Sequence, residues 1–376
     1  MSNNLRIIIS GGGTGGHIFP AVSIANAIKE LRPDTDILFV GAEGRMEMHR
    51  VPAAGYPIKG LPVAGFDRKN LLKNIPVLIK LFKSQRMARK IVKDFKPHAA
   101  VGVGGYASGP TLKVAGNMNI PTLLQEQNSY AGVTNKLLAK QAKKICVAYE
   151  GMERFFEKSK IILTGNPVRQ GLLNHNMTRE DAIRSFNLDP TKKTILILGG
   201  SLGARTINQC LMSNLDKVKT SGVQFIWQTG KIYIDEARKT VAESGEFPML
   251  HVTDFISDMA TAYCAADLVI SRAGAGSISE FCLLKKPVIL VPSPNVAEDH
   301  QTKNALALVN KNAALYVKDS EAKDTLLAKA IEAVNQPDLL ENLSKNIAEL
   351  AFTDSANIIA KEVIKLAEKY KEDYGR

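Results

Sequence analysis

The sequence predicts an α/β protein built from two doubly wound, Rossmann-like domains. Three observations lead there. The chain has 376 residues, 45% apolar and 23% charged, which suffices for a sizeable core and exceeds what one domain usually needs. Short, apolar, β-branched runs alternate with helix-period segments, the pattern of parallel sheets covered on both faces. That pattern also starts twice, because RIIISGGGTGGHIFPAVSIANAI near the beginning is answered about 190 residues later by TILILGGSLGARTINQCL.

In chain order, the first half offers strands at Leu5–Ser10, Ile37–Val40, Ala99–Val103, Thr122–Leu124, Ile145–Ala148 and Ile161–Leu163. The second half offers Thr194–Leu198, Val223–Gln228, Leu250–Val252, Leu268–Ser271 and Val288–Val291, with helices such as Arg205–Leu215 and Gln301–Asn310 between them. The Gly/Asn/Pro turn Gly165–Gly171 ends a strand before a polar stretch and marks the boundary. The expected division is therefore residues 1–165, residues 166–352, and a tail, 353–376, whose capped helix Thr353–Tyr370 crosses back to the first domain.

Charge is unevenly placed. The formal net charge is +12, yet 24 Lys/Arg stand against 11 Asp/Glu through Gly165 and 25 against 26 thereafter. The excess suits an anionic partner of the first half. Four widely spaced cysteines, with no CxxC pair, indicate neither a disulfide framework nor a zinc site, and fit a reducing compartment. MSNNLRIII lacks the layout of a signal peptide, and no apolar run approaches the roughly 18 to 20 residues that span a bilayer.

Three glycine-rich turns close strands: Gly11–Gly16, Gly102–Pro110 and Gly199–Arg205. Such turns let backbone N–H groups and a helix N-terminus approach a phosphate, although any one of them can simply be a tight strand-to-helix turn. The first matches GxGxxG, so a nicotinamide dehydrogenase, with Glu43 on the ribose, has to be considered. His17 argues against it, and also occupies the place of the lysine in a Walker loop. At a helix start the imidazole is favoured neutral, as a general base must be; a histidine merely bonded to a loop carbonyl is the alternative. The other histidines have no metal-ligand spacing.

In the second half, SRAGAGSISE (271–280) follows a buried strand and opens a helix. Its amides can hold a diphosphate and Glu280 the vicinal hydroxyls of a ribose, while Ser277 and Glu280 also read as a capping box. The polar run Glu298–Asn304 suits sugar hydroxyls or an exposed loop. Glu126 and Asn128 stand at a strand end, where open α/β folds bind ligands.

From Arg68 to Lys96 ten basic residues and one acid, Asp94, interleave with apolar ones. Leu71, Leu72, Ile75, Leu78, Ile79 and Phe82 share a helical face, with Lys73, Lys80 and Lys83 opposite. This suits an anionic lipid surface, the alternative being a core-packed helix with a solvated basic face. Nucleic acid fits less well, for want of stacking aromatics.

Taken together, GGGTGGHIFPA, GVGGYASGP, QEQNSYAGVTNK, GNPVR, GGSLGAR, SRAGAGSISE and DHQTKNA resemble, in family order, the MurG family of peptidoglycan N-acetylglucosaminyltransferases, which make lipid II from lipid I. The resemblance implies a glycosyltransferase B fold, two domains facing across a cleft. It implies a UDP-GlcNAc donor held mainly by the second domain, a lipid I acceptor held by the first, and attachment to the cytoplasmic face of the cell membrane, with other cell-wall synthesis proteins as further partners. By motif, the donor contacts are Thr14, Gly15, Gly16, Asn128, Arg169, Ser201, Ile256, Ala275, Gly276, Ser277, Ile278, Ser279, Glu280 and Gln301. Ile75, Ile79, Phe82, Lys73, Lys80 and Lys83 face membrane and acceptor. The implied reaction inverts the anomeric carbon, with His17 as base, Glu126 as the second candidate, Tyr106 lining the acceptor side, no cofactor and no obligatory metal. The chain departs from many family members at Leu202 and His300. The alternatives from sequence are another UDP-sugar enzyme of the same fold (a lipid glycosyltransferase or a UDP-sugar 2-epimerase), a dehydrogenase, or a non-enzymatic membrane-docking protein.

Overall fold

The computed structural model describes residues 4–64, 75–168, 170–172, 176–200 and 203–374. The chain forms two compact units, Met1–Arg169 with Thr353–Arg376, and Gln170–Phe352. The units part four residues beyond the division read from the sequence, still within the Gly165–Gly171 turn.

The first unit carries a seven-stranded parallel sheet. Its strands are β1 (Arg6–Ser10), β2 (Asp36–Ala42), β3 (Ile58–Leu61), β4 (Ala99–Gly102), β5 (Thr122–Glu126), β6 (Lys144–Val147) and β7 (Ile161–Leu163), in the order β3-β2-β1-β4-β5-β6-β7. The alternation along β1 explains the two-faced core. Ile7 and Ile9 enter one cluster with Ile24 and Ile28, whereas Ile8 enters the opposite one with Leu112 and Ile145. The helix Ser355–Tyr374 returns to this unit. Its Ile359, Val363 and Ala367 join the Ile7 cluster, and Glu368 pairs with Arg32.

The second unit repeats the plan with six parallel strands: β8 (Thr194–Leu198), β9 (Gln224–Gln228), β10 (Leu250–Thr253), β11 (Leu268–Ser271), β12 (Val288–Leu290) and β13 (Leu315–Tyr316). Their order is β10-β9-β8-β11-β12-β13. Ile195, Ile197, Phe225 and Trp227 are fully buried there, and the indole N–H donates to Asn208 Oδ1 at 2.9 Å.

Two strands escape the sequence pattern. In β3, IKGL supplies no continuous apolar run because it is a partly exposed edge strand; β13 is two residues long. The expected helix Arg205–Leu215 is two, Arg205–Met212 and Leu215–Thr220.

In each sheet the strand order reverses about its first strand, between β1 and β4 and between β8 and β11. Ligands of doubly wound sheets bind outside the strand C-termini at such a switch point. The loops that leave these four strands are the glycine-rich turns and the SRAGAG segment.

Candidate active site

In the first unit the site is built from two glycine turns that touch. Gly105, at φ +83°, has no room for a side chain, since a Cβ there would lie 2.3 Å from the Gly12 carbonyl oxygen. These glycines therefore serve close backbone approach as well as turning the chain.

His17 sits in the first turn of the helix Gly15–Leu31, half-buried, against the second turn. A Cβ on Gly104 would fall 2.8 Å from its Nε2. Its Nδ1 lies 3.1 Å from the Gly12 carbonyl oxygen and 3.3 Å from Thr14 Oγ1. A carbonyl can only accept, so Nδ1 carries the proton of the neutral ring and Nε2 is its basic nitrogen. Beneath the loop, buried Glu47 accepts the N–H of Gly13 and of Ala42, each at 2.9 Å.

Glu126, the second candidate base, is buried at the end of β5 with both oxygens engaged. Oε1 accepts from Asn128 N (3.1 Å) and Asn128 Nδ2 (3.3 Å); Oε2 accepts from Gly132 N (2.9 Å) and Asn135 Nδ2 (2.8 Å). Burial pushes its carboxyl above the ordinary value, against the pull of those four donors. These bonds shape the loop that carries Asn128. Tyr106, exposed on the second glycine turn, stands between these elements in sequence.

The helix Ile75–Phe95 presents Leu78, Ile79 and Phe82 to solvent, Phe82 at 80% exposure, next to exposed Lys80 and Lys83. Its buried side is Ser84, Ala88 and Val92, so Ile79 and Phe82, expected to face a membrane, are not part of the core. Lys73 lies outside the described residues, as does the side chain of Ile75.

In the second unit the helix Ala275–Leu283 starts two residues earlier than Ser277, behind an extended Gly274 with no side-chain cap. The Ser277–Glu280 capping box is therefore not formed. Ser277 lies inside the first turn, and Glu280, one turn further on, is buried and accepts a hydrogen bond from Tyr263 Oη at 2.8 Å. Arg272 ties the segment down through the carbonyls of Val291 (3.0 Å) and Pro292 (3.3 Å) and through Asp319. Asn304, buried, donates to the Ala273 carbonyl at 3.3 Å.

Glu298 and Asp299 both hold left-handed backbone (φ +58° and +51°), a strained pair of the kind that collects at ligand sites. Gln301 Oε1 accepts from Ser293 N at 2.9 Å, and Ile256 is buried just beyond β10. Thr14, Gly15, Gly16 and Asn128 follow strand C-termini of the first unit, and Ile256, Ala275 to Glu280 and Gln301 follow those of the second. Arg169 and Ser201 lie outside the described residues. Among the described residues no three His, Cys, Asp or Glu side chains are gathered as for a metal ion, and no helix is long and apolar enough to cross a membrane.

The glycosyltransferase family 28 N-terminal domain matches residues 7–147, and the glycosyltransferase family 28 C-terminal domain matches residues 194–359. A UDP-N-acetylglucosamine--N-acetylmuramyl-(pentapeptide) pyrophosphoryl-undecaprenol N-acetylglucosamine transferase of Phocaeicola vulgatus is 81% identical over the full length of both chains. Its counterpart in Bacteroides fragilis is 72% identical over 97% of this chain and 96% of its own. The crystal structure of Acinetobacter baumannii MurG superposes with a TM-score of 0.76 at 26% identity, over 96% of this chain and 99% of that one. The chain belongs to glycosyltransferase family 28, and within it to the MurG family of N-acetylglucosamine transferases, with the two-domain glycosyltransferase B fold.

Proposed function

We propose that this protein moves GlcNAc from UDP-GlcNAc to the C4 hydroxyl of the MurNAc in undecaprenyl-pyrophosphoryl-MurNAc-pentapeptide, converting lipid I to lipid II. The observation that carries this reading is the 81% identity, end to end, with a transferase so named. The reaction is a single displacement with inversion. The C4 oxygen attacks the anomeric carbon from the face opposite UDP, the carbon–oxygen bond to UDP breaks as the new one forms, and the hydroxyl proton passes to a base.

His17 is that base, because its Nδ1 is committed to the Gly12 carbonyl and its Nε2 is the nitrogen that accepts. Negative charge grows on the departing UDP. Backbone N–H groups at the helix start at Ala275 offset that charge without a metal. Glu280 holds the ribose, Ile256 the uracil, and Gln301 and Asn128 the sugar. The exposed Ile79, Phe82, Lys80 and Lys83 rest the first unit on the anionic cytoplasmic face of the membrane, where the acceptor lies.

The test is transfer of labelled GlcNAc from UDP-GlcNAc to a short-chain lipid I analogue in the presence of EDTA. Transfer by the wild-type protein, lost in His17→Ala and in Glu280→Ala, is the expected result. A folded protein that binds UDP-GlcNAc and transfers nothing would overturn the acceptor assignment.

A further inference from the structure

One buried tyrosine bonds the carboxylate assigned to the ribose. Tyr263 lies on the short helix Met259–Ala265, whose start is fixed by Asp258, with Oδ1 accepting from Thr261 N at 3.1 Å. Its ring is 2% exposed and packs edge-on against Phe281, with centroids 5.8 Å apart and planes at 87°. Phe281 is the residue after Glu280 on the neighbouring helix, and the Tyr263 hydroxyl donates to Glu280 Oε2 at 2.8 Å. An aromatic pair thus sets the position of the phenol, and the phenol sets the position of the carboxylate.

A glutamate side chain has three rotatable bonds, and freezing them on binding costs free energy that a preformed contact has already met. A carboxylate that grips two vicinal hydroxyls must also present its oxygens at a fixed angle. Both needs are served by a buried donor that engages one oxygen before the ligand arrives. Burying a tyrosine hydroxyl without a partner would be unfavourable, and Glu280 Oε2 is a partner here.

We propose that Tyr263 is a positioning residue for nucleotide recognition: its hydroxyl fixes the Glu280 carboxylate in the orientation that meets a ribose diol, and the pair sets the preference for ribonucleotide over dideoxynucleotide diphosphates. The proposal rests on the assignment of Glu280 to the ribose.

The experiment is isothermal titration of UDP and of 2′,3′-dideoxy-UDP into the full chain, wild type, Tyr263→Phe and Glu280→Gln. The wild type should prefer UDP by at least about tenfold, and Glu280→Gln should bring that preference close to one. Tyr263→Phe should reduce the preference about five- to tenfold while its affinity for 2′,3′-dideoxy-UDP stays within about twofold of wild type. A preference retained in Glu280→Gln would remove the ribose assignment itself. Loss of preference in Glu280→Gln with full retention in Tyr263→Phe would overturn the role of Tyr263 alone, and so would an equal weakening of both nucleotides. Phenylalanine keeps the contact with Phe281; if that variant fails to fold, Tyr263→Met, which also lacks the hydroxyl and packs adaptably, gives the same reading.

Discussion

Glu47 and Gly13, 34 residues apart, are joined by a 2.9 Å hydrogen bond in which the glycine N–H donates to a buried carboxylate. The other oxygen takes the N–H of Ala42 at the end of β2. One carboxylate therefore links the turn after β1 to the neighbouring strand, and the peptide it holds carries the Gly12 carbonyl on which His17 rests. Glu47→Gln keeps the shape but turns an NH2 group toward a backbone donor. It should cost about 2 kcal/mol of stability in urea unfolding and lower kcat by about tenfold or more. Wild-type values of both would remove this role.

His17 and Gly104 give a second test. A methyl group on Gly104 would lie 2.7 Å from the imidazole Cδ2, and its φ of +88° is unfavourable for any side chain. Gly104→Ala should displace the ring and reduce transfer by about tenfold or more. UDP binding, assigned to the second unit, should stay within about twofold of wild type. A variant with wild-type turnover would show that the ring tolerates displacement and is not the base.

The pH dependence separates the two candidate bases. If His17 accepts the proton, kcat/KM rises with pH through a single ionisation that belongs to this residue. That limb should disappear in His17→Ala and persist, at lower amplitude, in Glu126→Gln. Persistence of the limb without His17 would transfer the role elsewhere.

Glu126 also makes a prediction about stability. Its carboxyl is raised above the unfolded value by burial, so the folded state binds the proton more tightly than the unfolded one. The stabilisation from this protonation is fully present below the ordinary carboxylate range, near 4.3, and is lost as pH rises through the raised folded value. The stability of wild type relative to Glu126→Gln should therefore be greatest in acid and decline toward neutral pH. Urea midpoints measured from pH 4 to 8 check this, and a flat or rising difference would contradict it.

What the sequence revealed and what it hid divide along contact order. The turns Gly11–Gly16 and SRAGAGSISE are local, and each announces itself through glycine spacing next to an apolar strand. His17 was legible because it lies within six residues of the glycines that orient it. The partners that hold these turns were not. Glu47 reads as one more helical acid in RMEMHRVP until β2 brings it beneath Gly13, and Asp319 reaches Arg272 across 47 residues. Tyr263 and Glu280 are 17 residues apart, on two helices whose packing only the fold defines. The capping-box reading failed because S-x-x-E spacing specifies a distance along a helix and not where that helix begins.

The helix Ile75–Phe95 leaves an apolar face exposed. Ile79 is 65% and Phe82 80% exposed, large apolar side chains whose hydration is unfavourable unless another surface covers them. Lys80 and Lys83, next to them in sequence, are exposed as well. On an anionic bilayer each lysine near the surface contributes about 1 kcal/mol, so replacing both with glutamine should weaken binding to phosphatidylglycerol-containing vesicles about 30-fold at low salt. Binding of wild type should itself fall as salt screens the charges. Phe82→Ser with Ile79→Ser should weaken vesicle binding at every salt concentration, because its loss is apolar. In sedimentation assays, equal binding by all three proteins would mean that this face serves something other than lipid. Nucleotide affinity, measured alongside, should be unchanged in each, since the substituted residues lie in the first unit and the groups assigned to the uridine and ribose lie in the second.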